Sequence, residues 1–269
     1  MNKKTIQLGL IGKDVSKSTS EPIHRFILSQ FGVECLYTRF SVTPQQFDAT
    51  VCRLLKDFDG FNITIPYKRD ILAYLQGVNG DALKCGAVNT VVCGTRQGYN
   101  TDGVGFLLML ENAGITVQNK KVLLLGGGGA GRSTAVALKN AGANVFMYRR
   151  NQAELEKTCK EIGIQAVTEP EMGGFDMLIN TTGVGMHDTE GLSPVSEKAF
   201  EGAKEAVDLI YVPTESQFLR IAKAKGLTVI NGEAMLFYQA YYADCLYLGI
   251  QANGKQAKAF YKDYLAQKK

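Results

Sequence analysis

Apolar and polar positions along this chain fall into two successive sets of strand and helix patterns. In the first hundred residues, Gln7 to Ile11 and Cys35 to Phe40 read as strands. Pro22 to Phe31, closed by Gly32, and Pro44 to Leu55 read as helices. Phe61, Ile63 and Ile65 alternate with Asn62 and Thr64, the period of a half-buried strand over Gly60 to Ile65. Pro66 ends that strand and is expected to open a helix at its first position, continuing from Lys68 to Leu75. Ala87 to Cys93 reads as a further strand. Asp102-Gly103 opens an apolar helix from Val104 to Ala113, with Gly114 as its C-terminal cap. The alternation predicts a mostly parallel α/β sheet.

A second, more regular pattern starts at Lys120. Val122 to Leu125 is a short buried strand, followed by Gly126-Gly127-Gly128-Gly129-Ala130-Gly131 and a helix to Asn140. Ala143 to Tyr148 reads as the next strand and Gln152 to Glu161 as a charged helix. Met177 to Asn180, Glu205 to Asp208 and Thr228 to Ile230 supply further strands. The tail from Ala234 onward is helical, and its mixed apolar face is expected to return to the first domain.

Composition narrows the function classes. A chain of 269 residues can fill two modest domains or one large one. Its 45% apolar and 21% charged residues are ordinary for a globular enzyme. A net charge of +4 disfavours a nucleic-acid binder that works through bulk charge, and suits an anionic substrate or cofactor. Six cysteines lie far apart with no C-x-x-C pair, which argues against structural zinc and thioredoxin-type chemistry. No apolar run is long enough to span a bilayer, and the first residues carry no signal-peptide pattern. A cytoplasmic chain without a membrane partner is therefore expected. The only histidines are His24 and His187, so a histidine-rich metal site is excluded and acid–base work falls to Lys, Asp, Glu or Tyr.

Gly126, Gly128 and Gly131 fit G-x-G-x-x-G between a strand and a helix. The first permits a tight turn, the second lets a pyrophosphate approach the backbone, and the third lets helix pack on strand. The helix N-terminus offers unpaired N–H groups to the diphosphate. An NAD site places Asp or Glu about 20 residues after the glycines to bind the ribose 2′-hydroxyl. Here the next strand ends in Tyr148-Arg149-Arg150-Asn151, and no acid appears until Glu154. Two arginines suit a 2′-phosphate, so NADP is expected, with NAD as the alternative. The predicted organisation is a Rossmann-like dinucleotide-binding domain over residues 104–236. Residues 1–103 and 237–269 form a substrate-binding domain, with the chemistry in a cleft between the two.

Four upstream tracts place polar residues at strand ends or turns: Ser16 to His24, Thr64 with Lys68, Gly86 to Thr90, and Gly98 to Gly103. Each has a structural explanation taken singly, Ser20 as a helix N-cap with Pro22 in the first turn, Asn89 as a turn residue, Asp102 as a helix cap.

Together and in order, these tracts closely resemble the shikimate dehydrogenase family, over the length of the chain. The family pattern is S-x-S-P-x-x-H, G-x-N-V-T-x-P-x-K, G-A-V-N-T and N-T-D-G. It continues with G-A-G-G-A, an N-A-T-like strand end followed by G-M, D-x-x-Y-x-P, and G-x-x-M-L-x-x-Q. This chain supplies Ser18-Thr19-Ser20, Asn62 to Lys68, Gly86 to Thr90, Asn100 to Gly103, Gly126 to Ala130 and Asn180-Thr181-Thr182 with Gly185-Met186. It also supplies Asp208 to Pro213 and Gly232 with Met235-Leu236 and Gln239.

The resemblance implies an oxidoreductase that reversibly reduces 3-dehydroshikimate to shikimate with NADPH, as a monomer or homodimer and without a metal. It implies Lys68 and Asp102 as the catalytic pair, and Ser18, Ser20, Thr64, Asn89 and Gln239 as substrate-binding residues. For the cofactor it implies Gly126, Gly127, Gly128, Gly129, Ala130, Arg149, Arg150, Thr181, Met186, Tyr211 and Gly232. A lysine ammonium can donate to a developing alkoxide, and a neighbouring carboxylate orients it. The cofactor brings hydride chemistry and the protein alignment. Departures are Glu21 in place of the usual proline, Ser16 competing with Ser18, Arg149 for asparagine, Thr181 and Gly183 in the N-A-T-P run, and Ser216 for threonine. The alternatives are a quinate or dual quinate/shikimate dehydrogenase using NAD, and a non-catalytic dinucleotide-binding regulator.

Overall fold

Strand β1 (Thr5–Gly12) runs parallel to β2 (Glu34–Ser41) on one side and to β3 (Gly60–Ile63) on the other. In the computed structural model, which describes residues 4–268, these strands begin a six-stranded sheet of order β2-β1-β3-β5-β6-β4. The remaining strands are β4 (Gly77–Val78), β5 (Thr90–Val92) and β6 (Gln97–Tyr99). Three of the five pairings are parallel, but β5 is antiparallel to both its neighbours. Helices α1 (Ser20–Gln30), α2 (Pro44–Asp57), α3 (Asp81–Cys85) and α4 (Asp102–Asn112) accompany the sheet. Thr43 and Gln46 form a capping box at the start of α2, with Thr43 N–H donating to Gln46 Oε1 at 2.9 Å. The apolar side of α2, from Phe47, Val51 and Leu54, closes on Phe61 and Ile63 of β3 and Val91 of β5.

The turn after β3 differs from the sequence reading. All four β3 residues are buried, because the strand is central, whereas Ile65 is 76% exposed. Alternation that looked like one half-buried strand is a short buried strand followed by a turn. The Ile65–Pro66 peptide is cis, and Pro66 opens no helix; a 3-10 turn follows at Asp70–Tyr74. Tyr67 is buried and donates its hydroxyl to Val42 O at 2.8 Å, which ties this turn to the rest of the unit.

In the second unit the order is β12-β11-β10-β7-β8-β9, with every pairing parallel. Its elements are β7 (Lys121–Leu125), α5 (Gly129–Asn140), β8 (Asn144–Tyr148), α6 (Gln152–Ile162), β9 (Gln165–Ala166), β10 (Met177–Asn180), β11 (Glu205–Asp208), α7 (Gln217–Ala224) and β12 (Thr228–Asn231). This is the doubly wound order in which the chain reverses direction between β7 and β10, and ligands bind at the carboxyl ends of strands there. The tail forms two helices, α8 (Glu233–Leu248) and α9 (Gly254–Gln267), separated at Gly249 and capped afresh by Asn253. The units themselves are Met1–Asn112 with Leu236–Lys269, and Ala113–Met235.

Candidate active site

In the first unit, Lys68 reaches Asp102 from the turn after β3. Lys68 Nζ donates to Asp102 Oδ2 at 2.5 Å, and the two side chains are only 13% and 9% exposed. The backbone holds them: Lys68 O accepts from Val88 N at 2.8 Å, and Asp102 N donates to Asn100 Oδ1 at 3.0 Å. Asp102 is thus the first residue of α4 rather than its cap, and Asn100 supplies the side-chain acceptor. The other carboxylate oxygen, Asp102 Oδ1, accepts from Asn89 Nδ2 at 2.8 Å. Asn89 Oδ1 accepts in turn from Thr101 N and the Thr90 hydroxyl, both at 2.9 Å.

Gln239 joins this set from α8. A Cβ added to Gly105 of α4 would lie 2.7 Å from Gln239 N, so only glycine lets the two helices approach so closely. Gln239 Oε1 then lies 3.4 Å from Asn89 Nδ2 and 3.5 Å from Thr101 Oγ1.

The structure therefore brings Lys68, Asn89, Asp102 and Gln239 together. Thr64 lies at the same ends of β1 and β3: Thr64 N bonds to Ile11 O at 2.9 Å, and Lys13 N to Ile65 O at 3.1 Å. Ser18 and Ser20 follow on the loop after β1, their hydroxyls 3.1 Å apart. Ser18 Oγ accepts from Ser20 N at 3.2 Å, and Ser20, expected as the N-cap, instead opens α1 itself, with Thr19 at the N-cap position and no side-chain cap. Among the described residues, no hydrogen bond joins these three hydroxyls to the Lys68–Asp102 set.

Below the serines, His24 Nδ1 and Asp244 Oδ1 form a fully buried pair at 2.6 Å. Burial pushes the Asp244 carboxyl up to about 6, against the opposing attraction of His24.

The glycine turn of the second unit fits a dinucleotide. Gly126 follows β7 at φ +109°, and a Cβ on Gly131 would lie 2.6 Å from Gly126 O, so turn and helix are packed too closely for side chains. A Cβ on Gly128 would meet nothing within 4 Å, which leaves room above the turn. Gly128 is the N-cap of α5 and brings no side-chain acceptor to the first N–H groups of the helix, where Gly129 and Ala130 lie. Thr181 follows β10 beside that turn and donates its hydroxyl to Leu125 O and Gly126 O, at 2.9 and 3.1 Å. Gly127 faces Arg149: a Cβ there would sit 3.3 Å from Arg149 Cδ. Arg149 is paired with Glu154, while Arg150 is exposed.

Met186 and Tyr211 are partly buried in the loops after β10 and β11, and Gly232 N donates to Ile210 O at 3.2 Å. No hydrogen bond joins Met186, Tyr211 or Gly232 to the glycine turn among the described residues. Asn180 and Ser216 both bond the buried Asp208, at 3.0 and 2.5 Å, and burial raises the Asp208 carboxyl against those bonds. Among the described residues, no cluster of His, Cys, Asp and Glu could hold a metal ion. No helix there is long and apolar enough to cross a membrane.

Residues 10–91 match the model of the shikimate dehydrogenase substrate binding domain. The shikimate dehydrogenase (NADP(+)) of Thermus thermophilus is 36% identical over 247 residues, 91% of this chain and 93% of that protein. The chain belongs to the shikimate dehydrogenase family. A crystal structure of the Thermus thermophilus enzyme in complex with NADP(H) and shikimate superposes with a TM-score of 0.87 at 33% identity, covering 96% of this chain and 99% of that one. A chorismate mutase/shikimate 5-dehydrogenase fusion protein from Clostridium acetobutylicum gives a TM-score of 0.88 at 30% identity, with 99% of each chain covered.

Against the family pattern, two of the departures have local physical accounts. Glu21 pairs with Arg25 at 3.0 Å and lies 3.8 Å from Arg39, whose Nη1 donates to Ser16 O and Ser18 O at 2.8 and 3.3 Å. The acid therefore supports the serine loop through Arg39. Ser16 turns its hydroxyl to Asp14, donating to Oδ1 at 2.7 Å, whereas the Ser18 hydroxyl lies against that of Ser20. Thr101, Thr90 and Asn100 were missed as members of the polar set, although all lie inside or beside the quoted motifs. Their polar side chains next to Asn89 and Asp102 were the available signal.

Proposed function

We propose that this protein reversibly reduces 3-dehydroshikimate to shikimate with NADPH. The ring acid would bind in the unit of Met1–Asn112 and Leu236–Lys269, and the dinucleotide in the unit of Ala113–Met235. The observation that carries the reading is the Lys68–Asp102 pair at 2.5 Å, held from behind by Asn89.

Bound NADPH supplies the hydride that reduces the ring carbonyl. Lys68 Nζ donates to the carbonyl oxygen as negative charge develops there and gives up its proton; in the reverse direction it takes the hydroxyl proton. Asp102 Oδ2 orients the ammonium, Asn89 fixes the far side of that carboxylate, and Gln239 Oε1 accepts from Asn89 Nδ2. Ser18, Ser20 and Thr64 offer hydroxyls to the substrate carboxylate and ring hydroxyls. Gly126 to Ala130 would hold the pyrophosphate, Arg149 and Arg150 the 2′-phosphate, and Thr181, Met186, Tyr211 and Gly232 the rest of the cofactor. A regulator that only bound dinucleotide would have no use for a buried lysine–carboxylate pair.

Steady-state oxidation of shikimate and quinate, each with NADP⁺ and NAD⁺, tests this. The expected order puts shikimate with NADP⁺ highest in kcat/KM. Faster turnover of quinate with NAD⁺ would assign the chain to the quinate branch, and no turnover of either acid would make it a binding protein.

A further inference from the structure

We propose that Glu154 is a specificity-determining residue that competes with the cofactor's 2′-phosphate for Arg149. The inference rests on the NADP reading above and deepens it. Arg149 follows β8, and its guanidinium pairs with the Glu154 carboxylate. Glu154 is the third residue of α6, and its N–H donates to Asn151 Oδ1 at 3.1 Å. That cap fixes the backbone at Glu154 and so directs its carboxylate back toward the loop of the two arginines. The pair stands beside the glycine turn, since a Cβ on Gly127 would lie 3.6 Å from Arg149 Nη1. Both side chains remain accessible, at 28% and 54% exposure, and Arg150 has no ion-pair partner among the described residues.

A carboxylate and a phosphate dianion take the same guanidinium fork. A 2′-phosphate on Arg149 must either displace Glu154 or bind next to it. In both arrangements the carboxylate opposes the dianion. An unphosphorylated ribose meets no such opposition, and its 2′-hydroxyl can donate to Glu154. The acid therefore narrows the margin between the two dinucleotides while leaving Arg150 to favour the phosphate.

Equilibrium binding of adenosine 2′,5′-bisphosphate and of 5′-AMP to the full chain, by calorimetry, tests this without turnover. Glu154→Gln should tighten the bisphosphate about three- to tenfold and leave 5′-AMP within about twofold. In an Arg149→Ala background the same substitution should gain much less, because the two side chains act as one pair. Unchanged bisphosphate binding in Glu154→Gln overturns the inference. So does weaker binding, which would make Glu154 a support that orients Arg149 for the phosphate. If the unsubstituted chain binds the bisphosphate no more tightly than 5′-AMP, the NADP reading itself fails and this inference falls with it.

Discussion

Asn89 Nδ2 lies 2.8 Å from Asp102 Oδ1, the carboxylate oxygen that Lys68 leaves free. The bond is set by the sheet: Asn89 N donates to Tyr99 O at 3.0 Å, and Asn89 O accepts from Ile63 N at 2.9 Å. Asp102 is thereby gripped at both oxygens, one by the lysine and one by a side chain that cannot turn away. Asn89→Ala should leave Asp102 and Thr101 N–H short of partners and lower kcat/KM about 10- to 100-fold. The same change should destabilise the fold by about 1–3 kcal/mol, since Asn89 is only 3% exposed. Steady-state rates and thermal melting read the two effects separately. Asn89→Asp should be worse in rate, because it sets a second carboxylate against the first.

Two glycines of the same turn should respond differently to one methyl group. A Cβ on Gly131 would lie 2.6 Å from Gly126 O, so Gly131→Ala should lower the melting temperature and weaken NADPH binding together. A Cβ on Gly128 meets no protein atom within 4 Å, and its φ of −73° suits alanine. Gly128→Ala should therefore keep the melting temperature while weakening NADPH about tenfold or more, since the methyl occupies the space a pyrophosphate needs. Calorimetry with NADPH and a melt of each variant check this. Undiminished NADPH affinity in Gly128→Ala would contradict a phosphate site at that turn.

What was legible beforehand follows from how each element is buried. Strands β7 and β10 are buried along nearly their whole length, so they are written largely as apolar runs, and the glycines that follow β7 are visible as a motif. Strands β4, β6 and β9 contain two or three residues, too few to show a period, and β6 and β9 carry the polar Gln97 and Gln165. The antiparallel entry of β5 was hidden for that reason. Pro66 reads the same whether it opens a helix or follows a cis bond in a turn. Lys68, Asn89, Asp102 and Gln239 were identifiable because their flanking motifs are ordered along the chain. The bonds that unite them close across 13 to 150 residues and leave no local trace. The Arg149–Glu154 pair escaped for a different reason: it bridges a loop and a helix start, outside the usual helical spacing.

The buried pair under the serine loop should make stability depend on pH. Burial raises the Asp244 carboxyl from 3.8 to about 6, and His24, Tyr37, Tyr247 and Cys35 surround it. The tyrosines and the cysteine are themselves shifted upward, so they stay neutral in this range. The folded state holds the Asp244 proton more tightly than the unfolded state. Its contribution to stability is therefore greatest below pH 3.8 and is lost as pH rises through about 6. Melting temperatures of the unsubstituted chain and Asp244→Asn across that range should diverge as pH rises. Parallel curves would show that Asp244 does not titrate in the folded state as its burial requires.

The assignment of Lys68 as the group that moves the proton rests most directly on one rate, the turnover of Lys68→Ala in shikimate oxidation with NADP⁺. The substitution should lower kcat about 10²- to 10⁴-fold, while calorimetry still detects NADP⁺ binding with unchanged affinity. A kcat within about twofold of the unsubstituted protein, far below the effect of a lost general acid–base group, would contradict the proposed mechanism.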